Sequence, residues 1–148
     1  MEEKNAVQSA IKYIGIKLCS SGQVREKLLS LNFPQEDIQD AIVELIERGY
    51  INDDKYAKSH IRKRMLNNPK SKKVLEVELV KKGISESIIC KAIEEANIND
   101  FDTALDLVRK KYKQFDKTSD ERKLYNYLAY RGFSSEVIHK VTRELHSS

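Results

Sequence analysis

Apolar residues recur three and four positions apart along most of the chain. Val24, Leu28 and Leu31 form one set, Ile38, Ala41, Ile42 and Leu45 a second, and Ala104, Leu107, Val108 and Tyr112 a third. This spacing lines one face of an α-helix. The pattern also repeats at long range. KLLSLNFPQEDI, ELVKKGISESII and YLAYRGFSSEVI superpose with Phe33, Ile84 and Phe133 in register, at offsets of 51 and 49 residues. In that register Val24, Leu75 and Leu124 coincide. So do Leu28, Leu79 and Leu128; Ile38, Ile89 and Ile138; Ala41, Ala92 and Val141; and Leu45, Ala96 and Leu145.

Polar residues at the same offsets mark helix ends. Ser20, Ser71 and Asp120 precede an apolar run and can accept from the free N–H groups of a first turn. Asn32, Gly83 and Gly132 follow it, and these residue types tolerate the positive φ of a helix C-terminus. Ser85 and Ser134 stand where the next helix begins, and Pro34 fits a first-turn position. Independent local rules agree at one period, which is the mark of a repeat architecture.

Each repeat reads as three helices: about 5–18, 21–31 and 34–48; 53–67, 72–82 and 86–97; 100–115, 119–131 and 135–146. Three helices of this length make only a small core, so stacked repeats would share one. The expectation is an all-α chain of three tandem three-helix repeats, 1–51, 52–98 and 99–148. Together they would form an elongated, curved rod whose handedness the sequence leaves open.

Composition supports this class. The 148 residues contain 40% hydrophobic and 34% charged residues, and only two prolines and five glycines, too few for a turn-rich β-sandwich. No apolar run reaches a membrane span, and MEEKNAVQSA lacks the pattern of a signal peptide. Cys19 and Cys90 are far apart and are expected to be reduced, small core residues in a cytoplasmic protein.

Net charge is only +4, but it is unevenly spread. Residues 1–51 carry 6 basic and 8 acidic groups, 52–97 carry 11 and 7, and 98–148 carry 10 and 8. Eight cations and no acid lie between Asp54 and Glu76, and a second knot is Arg109-Lys110-Lys111-Tyr112-Lys113. Such blocks attract polyanions or acidic protein surfaces. Catalytic chemistry finds no support. His60, His139 and His146 lack metal-ligand spacing, and the five glycines, Gly15, Gly22, Gly49, Gly83 and Gly132, are scattered at turns rather than gathered in a phosphate loop. Asp53-Asp54 reads as a helix N-terminus stabilised by the dipole. A binding protein without cofactor or metal is expected, not an enzyme.

On a helical wheel of 53–67, Tyr56, Ala57, His60, Ile61 and Met65 share one sector, whereas Lys55, Lys58, Arg62 and Lys63 share the other. Arg64 falls in the apolar sector and is expected to be structurally paired. Tyr50, Tyr112, Tyr125 and Tyr130 lie beside basic residues and could either stack on unpaired bases or pack between repeats. Tyr13, Tyr56, Phe33, Phe101 and Phe133 are expected in the core.

The ordered set Gly49 to Asp53, Tyr56-Ala57, Arg62 and Arg64, Glu78 to Ile84, and Arg131 to Phe133 resembles the RecX family, bacterial regulators of the RecA recombinase. One departure lies around Leu75, where relatives place a basic residue on each side after a Gly-Pro. Here Val74 and Glu76 flank it, Pro69 is displaced, and Lys72 and Lys73 carry charge one turn earlier. The resemblance implies three three-helix repeats that lodge in the groove of the RecA filament on single-stranded DNA and damp its ATPase and strand-exchange activities. It also implies some DNA binding of its own, weak or through the filament, by a monomer with no membrane partner. The basic groups expected to carry this are Lys55, Lys58, Arg62, Lys63, Lys72, Lys73, Lys81, Lys82, Arg109, Lys110, Lys111 and Arg131, with Tyr50, Tyr112 and Tyr130 as candidate stacking or interface aromatics. Two other readings are a helix-turn-helix DNA-binding protein and a generic helical-repeat adaptor. The first is opposed by Glu36, Asp37, Asp40, Glu44 and Glu47 on the would-be recognition helix. The second leaves the cationic blocks unexplained.

Overall fold

The computed structural model describes residues 5–112 and 121–147. Among these, nine helices and no strands occur: α1 (Ala6–Ile14), α2 (Ser21–Ser30), α3 (Gln35–Glu47), α4 (Asp53–Asn67), α5 (Lys72–Lys81), α6 (Glu86–Glu95), α7 (Asp100–Lys111), α8 (Glu121–Tyr130) and α9 (Ser135–Ser147). The chain is therefore all-α, in three successive triplets of helices. No helix among the described residues is long and apolar enough to cross a membrane.

The helix ends follow the chemistry of their flanking residues. Ser20 accepts from the N–H of Gln23, whose side chain accepts from the N–H of Ser20, a reciprocal capping box. The Ser71 hydroxyl accepts from the N–H of Val74 and Ser134 from Val137. Pro34 stands one position earlier than expected, at the N-cap of α3, with an extended ψ of 148°. At the other end, Asn32, Gly83 and Gly132 have φ of 66°, 76° and 89°. Their N–H groups donate to Leu29, Val80 and Ala129, and the next residues, Phe33, Ile84 and Phe133, donate back to Leu28, Leu79 and Leu128. The same paired-bond helix terminus is thus built three times. Asp120, expected to begin α8, lies outside the described residues.

Three outcomes differ from expectation at helix ends. α1 stops at Ile14, not near residue 18, because Gly15 takes φ 54° and turns Ile16 into solvent. α7 stops at Lys111, with Tyr112 extended. α6 stops at Glu95, so Ala96 is exposed although Leu45 in the same register is buried. Gly22 is not at a turn but inside the first turn of α2.

The chain forms two compact units, Met1–His60 with Glu78–Ala92, and Ile61–Val77 with Ile93–Ser148, so that α4, α5 and α6 each contribute to both. In the first unit α1 packs on α2 and α3 around Ala10, Val24, Leu28, Ile38 and Leu45. In the second, α7 and α8 pack on α9 around Val108, Leu124, Leu128, Ile138 and Val141. The equivalent leucines Leu28, Leu79 and Leu128 are all fully buried, each contributing about 2 kcal/mol of apolar transfer. Phe133 is buried, whereas Tyr13, Phe33, Tyr56 and Phe101 lie half-buried at the core edge.

Each unit also contains the same junction between neighbouring triplets. In the first, the Ser20 hydroxyl donates to the carbonyl of Lys82 at 2.6 Å, and the Asp53 carboxylate accepts from both the N–H and the hydroxyl of Ser21. In the second, the N–H of Ser71 donates to the carbonyl of Arg131 at 3.2 Å, and the N–H of Lys72 donates to Asp100 at 3.0 Å. Ser20 and Ser71 are consequently the buried polar residues of the described structure. In the first unit two backbones meet closely, a Cβ on Gly22 falling 2.4 Å from the Lys82 carbonyl oxygen; in the second, a Cβ on Gly132 would lie 2.2 Å from the side-chain Cγ2 of Val74.

Cys19 is buried, as expected, and burial pushes its thiol up from the ordinary value, with Lys17 partly opposing. Cys90 is exposed on α6, contrary to the expectation of a core residue, because its helical position faces away from Ile89 and Ala92. In the native protein Cys90 should react promptly with a thiol reagent at neutral pH, and Cys19 only on unfolding. Two equivalents reacting at equal rates would contradict this burial. Gly22→Ala should lower stability by about 2 kcal/mol, despite alanine's better helix propensity, since backbone atoms cannot yield. Gly49→Ala, with nothing within 4 Å but φ of 80°, should cost only about 1 kcal/mol of strain. Urea denaturation of the two variants gives the order, and the reverse order would refute the close approach.

Candidate functional site

The expected cationic residues separate by unit. Lys55, Lys58, Lys81 and Lys82 belong to the first, with Tyr50. Arg62, Lys63, Lys72, Lys73, Arg109, Lys110, Lys111 and Arg131 belong to the second, with Tyr112 and Tyr130. By sequence the second unit carries 16 basic and 11 acidic residues, net +5, and the first 11 and 12, net −1.

α4 is as amphipathic as its wheel predicts. Ala57 and Ile61 are buried, Tyr56, His60 and Met65 half-buried, and Lys55, Lys58, Arg62 and Lys63 exposed. Arg64 is half-buried and engaged, consistent with a structural role. His60 Nε2 lies 2.9 Å from Glu78 Oε1, and the Tyr56 ring stacks beside the imidazole. Burial, then the nearby Cys19 and Asp53, raises the Tyr56 phenol above its ordinary value and keeps it neutral. This face of α4 therefore anchors the helix, leaving its cations outward.

On α5, Lys73 and Lys81 are exposed, and Lys72 and Lys82 half-buried, the latter two contributing backbone groups to the junctions described above. Lys81 and Lys82 also border a cleft with Tyr13, Arg25 and Lys27. Lys17 and Lys27 ammonium groups lie 5.8 and 5.7 Å from the Tyr13 ring centre, so this tyrosine packs against the core on one side and also holds cations at the surface. Arg48 similarly covers Tyr50, at 5.3 Å.

The second unit assembles a denser group around Tyr127, a residue without a distinguishing sequence signal. The Tyr127 ring has the Arg131 guanidinium at 4.0 Å and the Lys111 ammonium at 4.5 Å, and Tyr112 meets it edge-on at 6.3 Å. Such contacts are each worth on the order of 1 kcal/mol. Tyr127 and Arg131 are four residues apart on α8, a spacing that places them together on any helix. Nothing in the sequence predicts that α7 brings Lys111 to the same ring. One turn away, Tyr130 is 82% exposed with Lys70 at 5.3 Å from its ring centre. Arg109 and Lys110 are exposed, and Lys110 pairs with Asp106 at 2.9 Å along α7, an exposed pair of small energetic value. Lys113 lies outside the described residues. Tyr125 rests against His139.

Among the described residues no cluster of three His, Cys, Asp or Glu side chains could hold a metal ion. The arrangement of exposed cations and partly exposed rings is suited to binding a polyanion or an acidic surface.

Comparison with known proteins places these features in a family. The second three-helix domain of RecX matches residues 52–93 and the third matches residues 99–142. The chain is 31% identical over 145 residues to regulatory protein RecX of Legionella pneumophila, covering 97% of this chain and 96% of that one. It is 29% identical over 143 residues to regulatory protein RecX of Clostridium perfringens, covering 93% of this chain. The chain spans 66% of the length of that relative, and 54% of its counterpart in Streptococcus uberis. A crystal structure of RecX from Lactobacillus salivarius superposes with a TM-score of 0.79 at 28% identity, covering 97% of this chain and 96% of that one. The repeated triplets, the matched domains and the full-length relatives agree: the chain belongs to the RecX family of regulatory proteins.

Proposed function

We propose that this chain regulates the RecA recombinase, most directly by inhibiting it, as a non-enzymatic cytoplasmic monomer that lies along the RecA filament on single-stranded DNA. The observation that carries the reading is the exposure of Arg62, Lys63 and Lys73 in a unit with a net charge of +5, within a family named for regulation. A helical filament offers the same surface at regular intervals, and a repeated protein meets such a partner with repeated contacts. The repeats 1–51, 52–98 and 99–148 would be the units of that contact. Cations would face the DNA backbone or the acidic lining of the groove, where desolvation strengthens their effect.

The helix-turn-helix alternative gains nothing from the geometry. Glu36, Asp37, Asp40, Glu44 and Glu47 are all exposed on α3, the position a recognition helix would occupy, and they would be repelled by phosphate.

A RecA ATPase titration tests the reading. Wild-type protein should suppress DNA-dependent hydrolysis. Replacing Arg62, Lys63, Lys72 and Lys73 together by Glu should abolish suppression while helicity by circular dichroism stays the same. Suppression should also weaken steeply as salt rises. No effect of the wild type on RecA would sink the reading; full suppression by the reversed variant would sink its electrostatic basis.

A further inference from the structure

The first unit has a cationic cleft of its own. It measures about 640 Å³ and runs between the start of α2 and the end of α5, where Gly22 approaches the Lys82 carbonyl. Arg25, Lys27, Lys81 and Lys82 line it, together with Tyr13. Lys17 adds a fifth cation, because it shares the Tyr13 ring with Lys27. These are five of the unit's 11 basic residues, whereas of its 12 acids only Glu26 is in the lining. Val80, 61% exposed, belongs to the same lining. Positive charge and an open apolar side chain therefore share one concave surface.

We infer that this cleft is a docking site for a short acidic peptide segment of a partner protein, its carboxylates meeting Lys27, Lys81 and Lys82 and an apolar side chain seating on Val80. Two observations favour a peptide over a nucleic-acid strand. The unit as a whole carries a net charge of −1, and its α3 exposes Glu36, Asp40 and Glu47. A long polyanion responds to that summed field. A short segment responds to the charges within about a Debye length, roughly 8 Å at physiological salt, and at the cleft those are mostly cations. The second observation is Val80. A phosphate backbone gains nothing from it, whereas an apolar side chain next to a carboxylate covers it and is covered in turn. Tyr13 attracts its two ammonium groups through the ring quadrupole and leaves their charge intact, so part of the ordering cost is met before the peptide arrives. The inference deepens the filament reading by giving Lys81 and Lys82 a protein partner, and rests on it only for whether that partner is RecA. The docking itself requires no RecA.

The test uses the full chain without RecA and follows labelled probes by fluorescence anisotropy: a short peptide of Glu and Leu, the same peptide with Gln for every Glu, and an oligothymidylate. The wild type should bind the Glu–Leu peptide and discriminate against its Gln counterpart. Lys27→Glu combined with Lys81→Glu should weaken the Glu–Leu peptide about tenfold, and Val80→Ser about threefold, with helicity by circular dichroism unchanged in both. Lys91→Glu alters the charge of the same unit on an exposed position outside the cleft and should leave peptide binding as it is. No binding by the wild type, equal binding of the Gln peptide, or equal weakening by Lys91→Glu would overturn the site. So would a loss that the cleft reversals inflict on the oligothymidylate while the peptide is unaffected, which would make the cleft a nucleic-acid surface. Failure of the chain to affect RecA, with the cleft dependence intact, would remove the regulatory reading and leave this site standing; suppression of RecA without any peptide binding would do the reverse.

Discussion

Every helix leaves N–H groups at its start and carbonyls at its end without internal partners, and the way this chain satisfies them governs its architecture. Within a triplet the solution is ordinary: a serine cap at one end, a positive φ at the other. Between triplets the two ends are joined. The Ser20 hydroxyl accepts from its own helix and donates to the end of α5, while Asp53, at the start of α4, accepts from the start of α2. One side chain thus completes a helix and fixes its neighbour. A buried hydroxyl with both capacities used carries little penalty, whereas one left unpaired would cost about 1–3 kcal/mol. The close approach of Gly22 to the Lys82 carbonyl is the steric side of the same constraint. A larger residue would separate the partners that the cap requires.

That constraint reaches the candidate site. Arg131 stands at the end of α8, and its carbonyl is tied to Ser71 while its guanidinium lies over Tyr127. The backbone bond sets where Lys70 passes, and the side-chain contact sets where the charge sits. A residue that structurally terminates one helix therefore also positions two cations on two rings. The positions that hold the repeats together and those that present charge are adjacent in the chain.

Much of this was legible from the amino acids. The helical period, the threefold register and the turn-forming trio Asn32, Gly83 and Gly132 each follow from local chemistry, because caps and positive-φ positions depend on a few neighbouring atoms. The exposed face of α4 follows from a wheel. What the sequence concealed depends on contacts distant in the chain. Asp53 and Asp100 look like ordinary first-turn acids, and nothing local shows that each receives bonds from the start of another helix. Cys90 looks apolar but faces outward. Tyr127 was indistinguishable from a core aromatic until α7 placed Lys111 against it. α1 ends at Ile14 because Gly15 adopts a positive φ, a glycine that sits inside the range 5–18 expected for this helix.

The pairing of cations with rings, instead of carboxylates, bears on what the surface can do. Lys110 with Asp106 and Lys140 with Glu136 are neutralised in place, and at a distance such pairs present little field. A tyrosine ring attracts a cation through its quadrupole and carries no net charge. Lys70, Lys111 and Arg131 are held against rings, with no carboxylate paired to them among the described residues, and the potential of a charge extends into solvent over roughly a Debye length, about 8 Å at physiological salt. A polyanion meeting this surface finds charges already oriented, so less side-chain entropy is lost on contact than with free lysines.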